Sequence, residues 1–254
     1  MSYFFCNFAQ KLFTMNEKRD IGSLFDRIAG KYDFLNHLLS LNIDKYWRRR
    51  AVRCINHDAT KDAAQPTYIL DVAIGTGDLA IEIMRQQKAD EIVGIDLSEQ
   101  MMRIGLDKVA KAGLSERIRF MKASALEMPF EVGSFDAVTC AYGVRNLSDL
   151  DAGLREMHRV LRPGGQLMIL EFTYPSNRLI AWTYDLYFTH ILPAIGRLLS
   201  GDKTAYNYLN RSVKTFVNAS HMHEHLNSAG FQKIQSTPLT FGISTIYTAR
   251  KSDE

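Results

Sequence analysis

Cysteine is scarce in this chain. Three residues, Cys6, Cys54 and Cys140, are spread over 254 positions. They make neither a disulfide framework nor a metal site, so a reducing cytoplasm is the expected compartment. An excess of one charge is missing too: 31 Lys and Arg stand against 28 Asp and Glu, a net charge of +3. Nucleic-acid binding asks for a clustered basic stripe, so no such partner is expected. Long hydrophobic runs are also absent. Residues Met1 to Phe13 hold four phenylalanines but are broken by Asn7, Gln10 and Lys11, and so lack the continuous apolar core of a secretory signal. The apolar stretch Leu179 to Leu199 is interrupted by Asp185, His190, Pro193 and Arg197. A membrane span needs about 20 mostly apolar residues, so amphipathic helices are expected there instead. Repeats and low-complexity linkers are likewise lacking.

What is present is an ordinary globular balance, 46% hydrophobic and 23% charged, enough for one large domain over residues 21–254. Met15-Asn16-Glu17-Lys18 reads as an alternative start, and residues 1–20 are expected to form a disordered extension. Residues 21–56 have helical spacing in Leu24, Phe25, Ile28, Tyr32, Leu35, Leu38 and Leu39 and are expected to form a helical cover.

From Tyr68 onward, strand and helix patterns alternate. Strands are predicted at Tyr68–Ala73, Glu91–Ile95, Ile118–Lys122, Phe135–Ala141 and Gln166–Phe172. Helices are predicted at Asp78–Gln87, at Ser98–Ala112 with Ser98 as N-cap, and at Asp149–Leu161. Arg162-Pro163-Gly164-Gly165 reads as a chain reversal. Two further strands, Phe231–Gln235 and Gly242–Arg250, have no helix between them and are expected to pair as an antiparallel hairpin at the sheet edge. The whole predicts an α/β fold, a seven-stranded, mostly parallel sheet with helices on both faces. Before strand six lies an insertion, residues 174–225. A structureless loop of that length would be unusual, so it is expected to be helical and to cover a hydrophobic substrate.

The most informative segment is Leu70-Asp71-Val72-Ala73-Ile74-Gly75-Thr76-Gly77-Asp78-Leu79-Ala80. A buried strand stops at a glycine turn and restarts as a helix. Two glycines let a ligand reach bare backbone, and the helix start presents unpaired N–H groups. This is a nucleotide-like cradle. Its spacing also fits the dinucleotide pattern G-x-G-x-x-G/A. Asp96, 21 positions after Gly75, ends the second strand, where a carboxylate accepts from ribose hydroxyls. Ser124-Ala125 after strand three lies where an adenine edge would sit, and of Met101-Met102 one is expected in the core and one against the adenine. The stretch from Ala141 to Asn146 follows strand four. The turn has no third glycine, and Asp71 stands before it, suited to an ammonium group and repulsive to a pyrophosphate. The residues thus favour S-adenosylmethionine (SAM) over a dinucleotide and leave the second open.

Several blocks sharpen this. They are Leu24-Phe25-Asp26-Arg27-Ile28-Ala29-Gly30-Lys31-Tyr32-Asp33, Trp47-Arg48-Arg49, the glycine turn, Tyr142-Gly143-Val144-Arg145-Asn146, Arg162-Pro163-Gly164-Gly165 and Leu239-Thr240-Phe241-Gly242. With them the chain resembles the class I SAM-dependent methyltransferases, and among these the UbiE/MenG quinone C-methyltransferases, over about Gly22 to Lys251. Three positions depart from that pattern: Asn42 where glycine is usual, Val217 where proline is usual, and Ser124 in place of asparagine or aspartate. The resemblance implies a Rossmann-like methyltransferase fold and C-methylation of 2-demethylmenaquinol to menaquinol, or the equivalent ubiquinone step. A dinucleotide oxidoreductase and a non-catalytic binding protein remain alternatives.

A polyprenylated quinol partner follows, with peripheral contact at the inner face of the membrane; a homodimer is left open. The cofactor set is Asp71, Gly75, Thr76, Gly77, Asp96, Ser124, Ala125 and Ala141. The catalytic candidates are Arg145 to stabilise a phenolate, Asn146 to orient a substrate oxygen, Tyr142 beside the ring and Tyr32 as part of a closing segment. Trp47-Arg48-Arg49-Arg50 reads as a solvated helix face with Trp47 buried, or else as a lipid-headgroup contact. His221, His223 and His225 lack supporting ligands, and no metal is expected.

Overall fold

The computed structural model describes residues 42–56, 66–187 and 219–253, with short stretches at 23, 25–26, 29–30, 40, 212–213 and 216. Seven strands form one sheet in the order β3-β2-β1-β4-β5-β7-β6. They are β1 (Tyr68–Val72), β2 (Glu91–Asp96), β3 (Ile118–Lys122), β4 (Phe135–Ala141), β5 (Leu161–Phe172), β6 (Gln232–Leu239) and β7 (Ser244–Arg250). The first five run parallel, and β7 lies antiparallel between β5 and β6. The expected edge hairpin is therefore present, with β6 running on to Leu239.

Each central strand is apolar on both sides, and its side chains alternate between two cores. Ile69, Ala137, Met168 and Leu170 face one core with α1 (Ile43–Arg53) and α2 (Asp78–Arg85). Leu70, Val138, Leu167 and Ile169 face the other with α4 (Leu150–Val160) and α6 (Ala219–Ser228). Between α2 and α4 comes α3 (Glu99–Lys111), and between α4 and α6 comes α5 (Arg178–Leu186). Ser98 Oγ accepts from Met101 N to start α3, as its position predicts, and Asp149 does the same for α4 by accepting from Ala152 N.

Three local findings refine the sequence reading. Asn42 opens α1 in the left-handed region at φ 62°, a conformation glycine adopts freely and asparagine tolerates better than most residues. That is the physical reason this position accommodates asparagine where the resembled family carries glycine. Arg162-Pro163-Gly164-Gly165 is not a separate reversal between helix and strand. It lies inside β5 as an irregularity, because Phe135 pairs with Leu161 while Ala137 pairs with Gln166. The insertion contains α5 and the start of α6; residues 188–211 and Val217 lie outside the described set, as do residues 1–22 and Tyr32. Among the described residues no helix is long and apolar enough to cross a membrane.

Candidate active site

The strand order reverses between β1 and β4, and a ligand cleft opens beyond the carboxyl ends of strands at such a point. The chain leaves β1 through Ala73 (φ 56°), Gly75 (φ 54°) and Gly77 (φ 79°), three left-handed residues in five. Beside it, β4 ends at Ala141 and is followed by Tyr142, also left-handed at φ 59°. Two non-glycine residues in this region on adjacent strands mark local strain, the kind stored at functional sites. Gly143 follows Tyr142. A Cβ there would lie 2.7 Å from both the Ala73 Cβ and the Cys140 Sγ, so only glycine lets the two strand ends close.

A cavity of about 310 Å³ occupies this point, lined by residues of the turn, Asp96, Met101, Ser124, Ala125, Ala141, Tyr142 and Asn146. A smaller one of about 60 Å³ adjoins it and is lined by Arg48, Asp71, Thr76 and Asp78. Ala73, Gly75, Ala141 and Tyr142 border both, so the two make one trough. Asp96 sits at the larger end. Its Oδ2 accepts from Gly75 N at 2.8 Å and its Oδ1 from Ser98 N at 2.9 Å, which fixes the carboxylate while each oxygen keeps a second lone pair. Burial raises its pKa, and those N–H groups oppose the rise. Ser124 Oγ accepts from Leu126 N at 3.1 Å, which shapes the loop at the far wall.

Asp71 sits beneath the smaller end and is 1% exposed. Oδ1 accepts from Thr139 Oγ1 at 2.8 Å, whereas the buried Oδ2 has no hydrogen-bond partner among the described residues. Burial pushes its pKa from 3.8 up to about 7. An orphaned carboxylate oxygen at a cavity wall is matched by a cationic donor. The ammonium of SAM is such a donor, and a ribose suits Asp96 at the other end. A pyrophosphate would instead be repelled by Asp71. The residues present therefore fit SAM.

The sequence model of the ubiE/COQ5 methyltransferase family matches residues 13–251. The chain belongs to this family. It is 42% identical over 235 residues to the demethylmenaquinone methyltransferase of Bacteroides fragilis, covering 92% of this chain and 94% of that one. Identity reaches 44% over 242 residues with the ubiquinone/menaquinone biosynthesis C-methyltransferase UbiE of Geobacter sulfurreducens, covering 94% and 92%. A SAM-dependent methyltransferase of Aquifex aeolicus has the same fold, with a TM-score of 0.56 at 16% identity over 80% of this chain and 88% of that one.

The catalytic candidates of this methyltransferase fall in different places. Tyr142 lines the trough and stacks on Phe172, ring centroids 4.5 Å apart. Burial raises its phenol pKa, with the Arg48 cation pulling the other way. Asn146 lines the larger cavity and donates from Nδ2 to the Tyr142 carbonyl at 3.2 Å. Arg145 is not among the residues that line that cavity. Its Nη1 donates to Glu171 Oε1 at 2.5 Å and to the Tyr142 carbonyl at 2.7 Å, and its guanidinium lies 5.3 Å from the Phe172 ring centre. Burial raises the Glu171 pKa, and Arg145 opposes the rise.

Three residues escaped the sequence reading. Glu171 anchors Arg145; an acidic residue ending an otherwise apolar strand was the available signal. Asp26, from the N-terminal segment, accepts from Ser98 Oγ at 2.5 Å, while its neighbour Phe25 lines the larger cavity. Arg48 corrects the reading of residues 47–50 as a solvated face: its side chain is 11% exposed and borders the trough. Trp47 is buried as expected and donates from Nε1 to Thr240 Oγ1 at 2.8 Å. Met101 lines the cavity, and Met102 joins the core. His225 Nδ1 lies 2.5 Å from Asp151 Oδ1, so this histidine pairs with a carboxylate of α4.

Proposed function

We propose that this chain transfers the methyl group of SAM to the ring carbon of 2-demethylmenaquinol, giving menaquinol and S-adenosylhomocysteine. Carrying the reading is the match along more than nine-tenths of the chain to a demethylmenaquinone methyltransferase. The Geobacter relative is named for both ubiquinone and menaquinone biosynthesis, so the equivalent ubiquinone step is the second reading.

A hydroquinone carbon is a weak nucleophile until a phenolic proton leaves and electron density moves onto the ring. SAM, when bound, supplies the electrophilic sulfonium methyl. The chain's own tasks are to align the two partners, favour the ionised phenol and exclude water. Asp71 and Asp96 hold the two ends of the donor. Tyr142, kept protonated by its burial, serves as a hydrogen-bond donor to a substrate oxygen, and Asn146 serves as a second orienting group. Arg145 acts through position: paired with Glu171 it is neutral overall, and it pins the loop that carries both of them. Tyr32 would belong to the closing segment.

A prenylated substrate resides in a bilayer. Leu179, Trp182 and Leu186 are 69%, 62% and 43% exposed along one stripe of α5, which supports peripheral contact with a membrane surface from that side. The test is complementation of a bacterial strain deleted for its own quinone C-methyltransferase, read by mass profiles of extracted quinones. Conversion of demethylmenaquinone to menaquinone is the expected result. Persistence of both demethylated precursors, with the protein present in soluble form, refutes the reading; correction of the ubiquinone precursor alone selects the second one.

A further inference from the structure

The methionine end of SAM is a zwitterion. Asp71 answers its ammonium, which leaves the carboxylate without a stated partner. Among the described residues that line the trough, one cation is suited to it. Arg48 borders the same small cavity as Asp71, on the face formed by α1 and α2. Its Nη2 lies 2.6 Å from Asp44 Oδ2 and 3.3 Å from Asp78 Oδ2.

These two contacts are unequal. Asp44 is 2% exposed, one turn before Arg48 on the same helix, and also accepts from Ser40 Oγ at 2.5 Å. It is a fixed anchor. Asp78 is a quarter exposed, holds Arg48 at the longer distance, and has Lys108 as a second cation. Lys108 also reaches Thr76 Oγ1 at 3.1 Å, so it is itself braced against the turn. Asp78 can therefore release Arg48 and stay neutralised. A guanidinium presents five N–H donors in a planar fork, a geometry that matches a carboxylate.

We propose that Arg48 is the carboxylate receptor of the cofactor site, exchanging its Asp78 contact for the cofactor's carboxylate while Asp44 keeps it in place. The inference rests on the SAM reading above. It makes α1, an element outside the alternating strand–helix core, a wall of the cofactor site. It also assigns the arginine of the Trp47-Arg48-Arg49-Arg50 run to ligand binding and leaves the outer two to solvent.

Isothermal titration with two ligands tests this on the full chain: SAM, and decarboxylated SAM, which keeps the ammonium and sulfonium and lacks only the carboxylate. The wild type is expected to bind SAM the more tightly. R48M is expected to lose roughly 10- to 100-fold for SAM, the worth of a charge-assisted hydrogen bond, and to stay within roughly threefold for the decarboxylated ligand. The second ligand reports on folding, because a collapsed site would lose both. Equal losses for the two ligands make Arg48 a structural ion-pair residue and overturn the proposal. Unchanged SAM affinity overturns it as well. A wild type that binds neither ligand overturns the cofactor reading and, with it, this inference.

Discussion

Replacing Asp71 with asparagine should make the ligand-free protein more stable and the cofactor site useless. The native carboxyl titrates at about 7 against an ordinary 3.8, so folding favours its protonated form. A raised native pKa gives stability that is complete below the unfolded value and is lost as pH climbs to the folded one. The window here runs from about 4 to about 7 and is flat above. Between pH 5 and pH 8 about two units of that window are crossed, which at ~1.4 kcal/mol per unit is about 3 kcal/mol. Asparagine does not titrate, and its carbonyl oxygen can still accept from Thr139 Oγ1. Urea unfolding of both proteins at pH 5, 6, 7 and 8, without ligand, isolates the effect, since other titrations cancel in the difference. D71N should gain about 3 kcal/mol on the wild type from pH 5 to pH 8, most of it by pH 7. In calorimetry the same variant should lose SAM binding. A stability difference constant to within about 0.5 kcal/mol across that range would refute the reasoning, because Asp71 would then titrate normally.

The same carboxylate governs cofactor affinity: wild-type binding of SAM should tighten about tenfold from pH 6 to pH 8 as Asp71 ionises, as read by calorimetry at each pH. R145A leaves Glu171 buried and unpaired, which should cost about 3–5 kcal/mol in urea unfolding. The double variant R145M/E171M should recover most of that stability while methyl transfer stays low, because the loop loses its pin. G143A drives a methyl into Ala73 and Cys140, and should cost about 1–3 kcal/mol and weaken SAM binding in parallel.

Legibility in the sequence tracked the range of the interaction. The central strands β1, β4 and β5 were readable because each buries both faces and is written as a largely apolar run. The glycine turn was readable because left-handed backbone at Gly75 and Gly77 needs a residue type that announces itself. Asp71 and Asp96 were found by their offset from that turn. Arg48 was hidden by its neighbours: a run of three arginines looks solvated, and only packing of α1 on α2 turns one of them inward. Arg145 was visible as a charged residue in a distinctive loop, yet its direction depended on Glu171, 26 positions later, across a strand pairing. Asp26 and Ser98 meet across 72 positions, and nothing in either local pattern points to the other. The start of α6 and the extra length of β6 depend on packing at the sheet edge, where periodicity is weak.

The place of β7 carries a consequence for how the protein is made. The last strand of this sheet in chain order, Ser244–Arg250, is inserted between β5 and β6 and pairs with β5 along Gln166 to Phe172. Until it emerges from the ribosome, the apolar Leu167–Leu170 segment has a bare edge, an invitation to pair with another nascent chain. A message truncated even a few codons before residue 244 would thus yield an aggregation-prone product and not a slightly shorter enzyme. The bare edge of β5 closes only when β7 has left the ribosome.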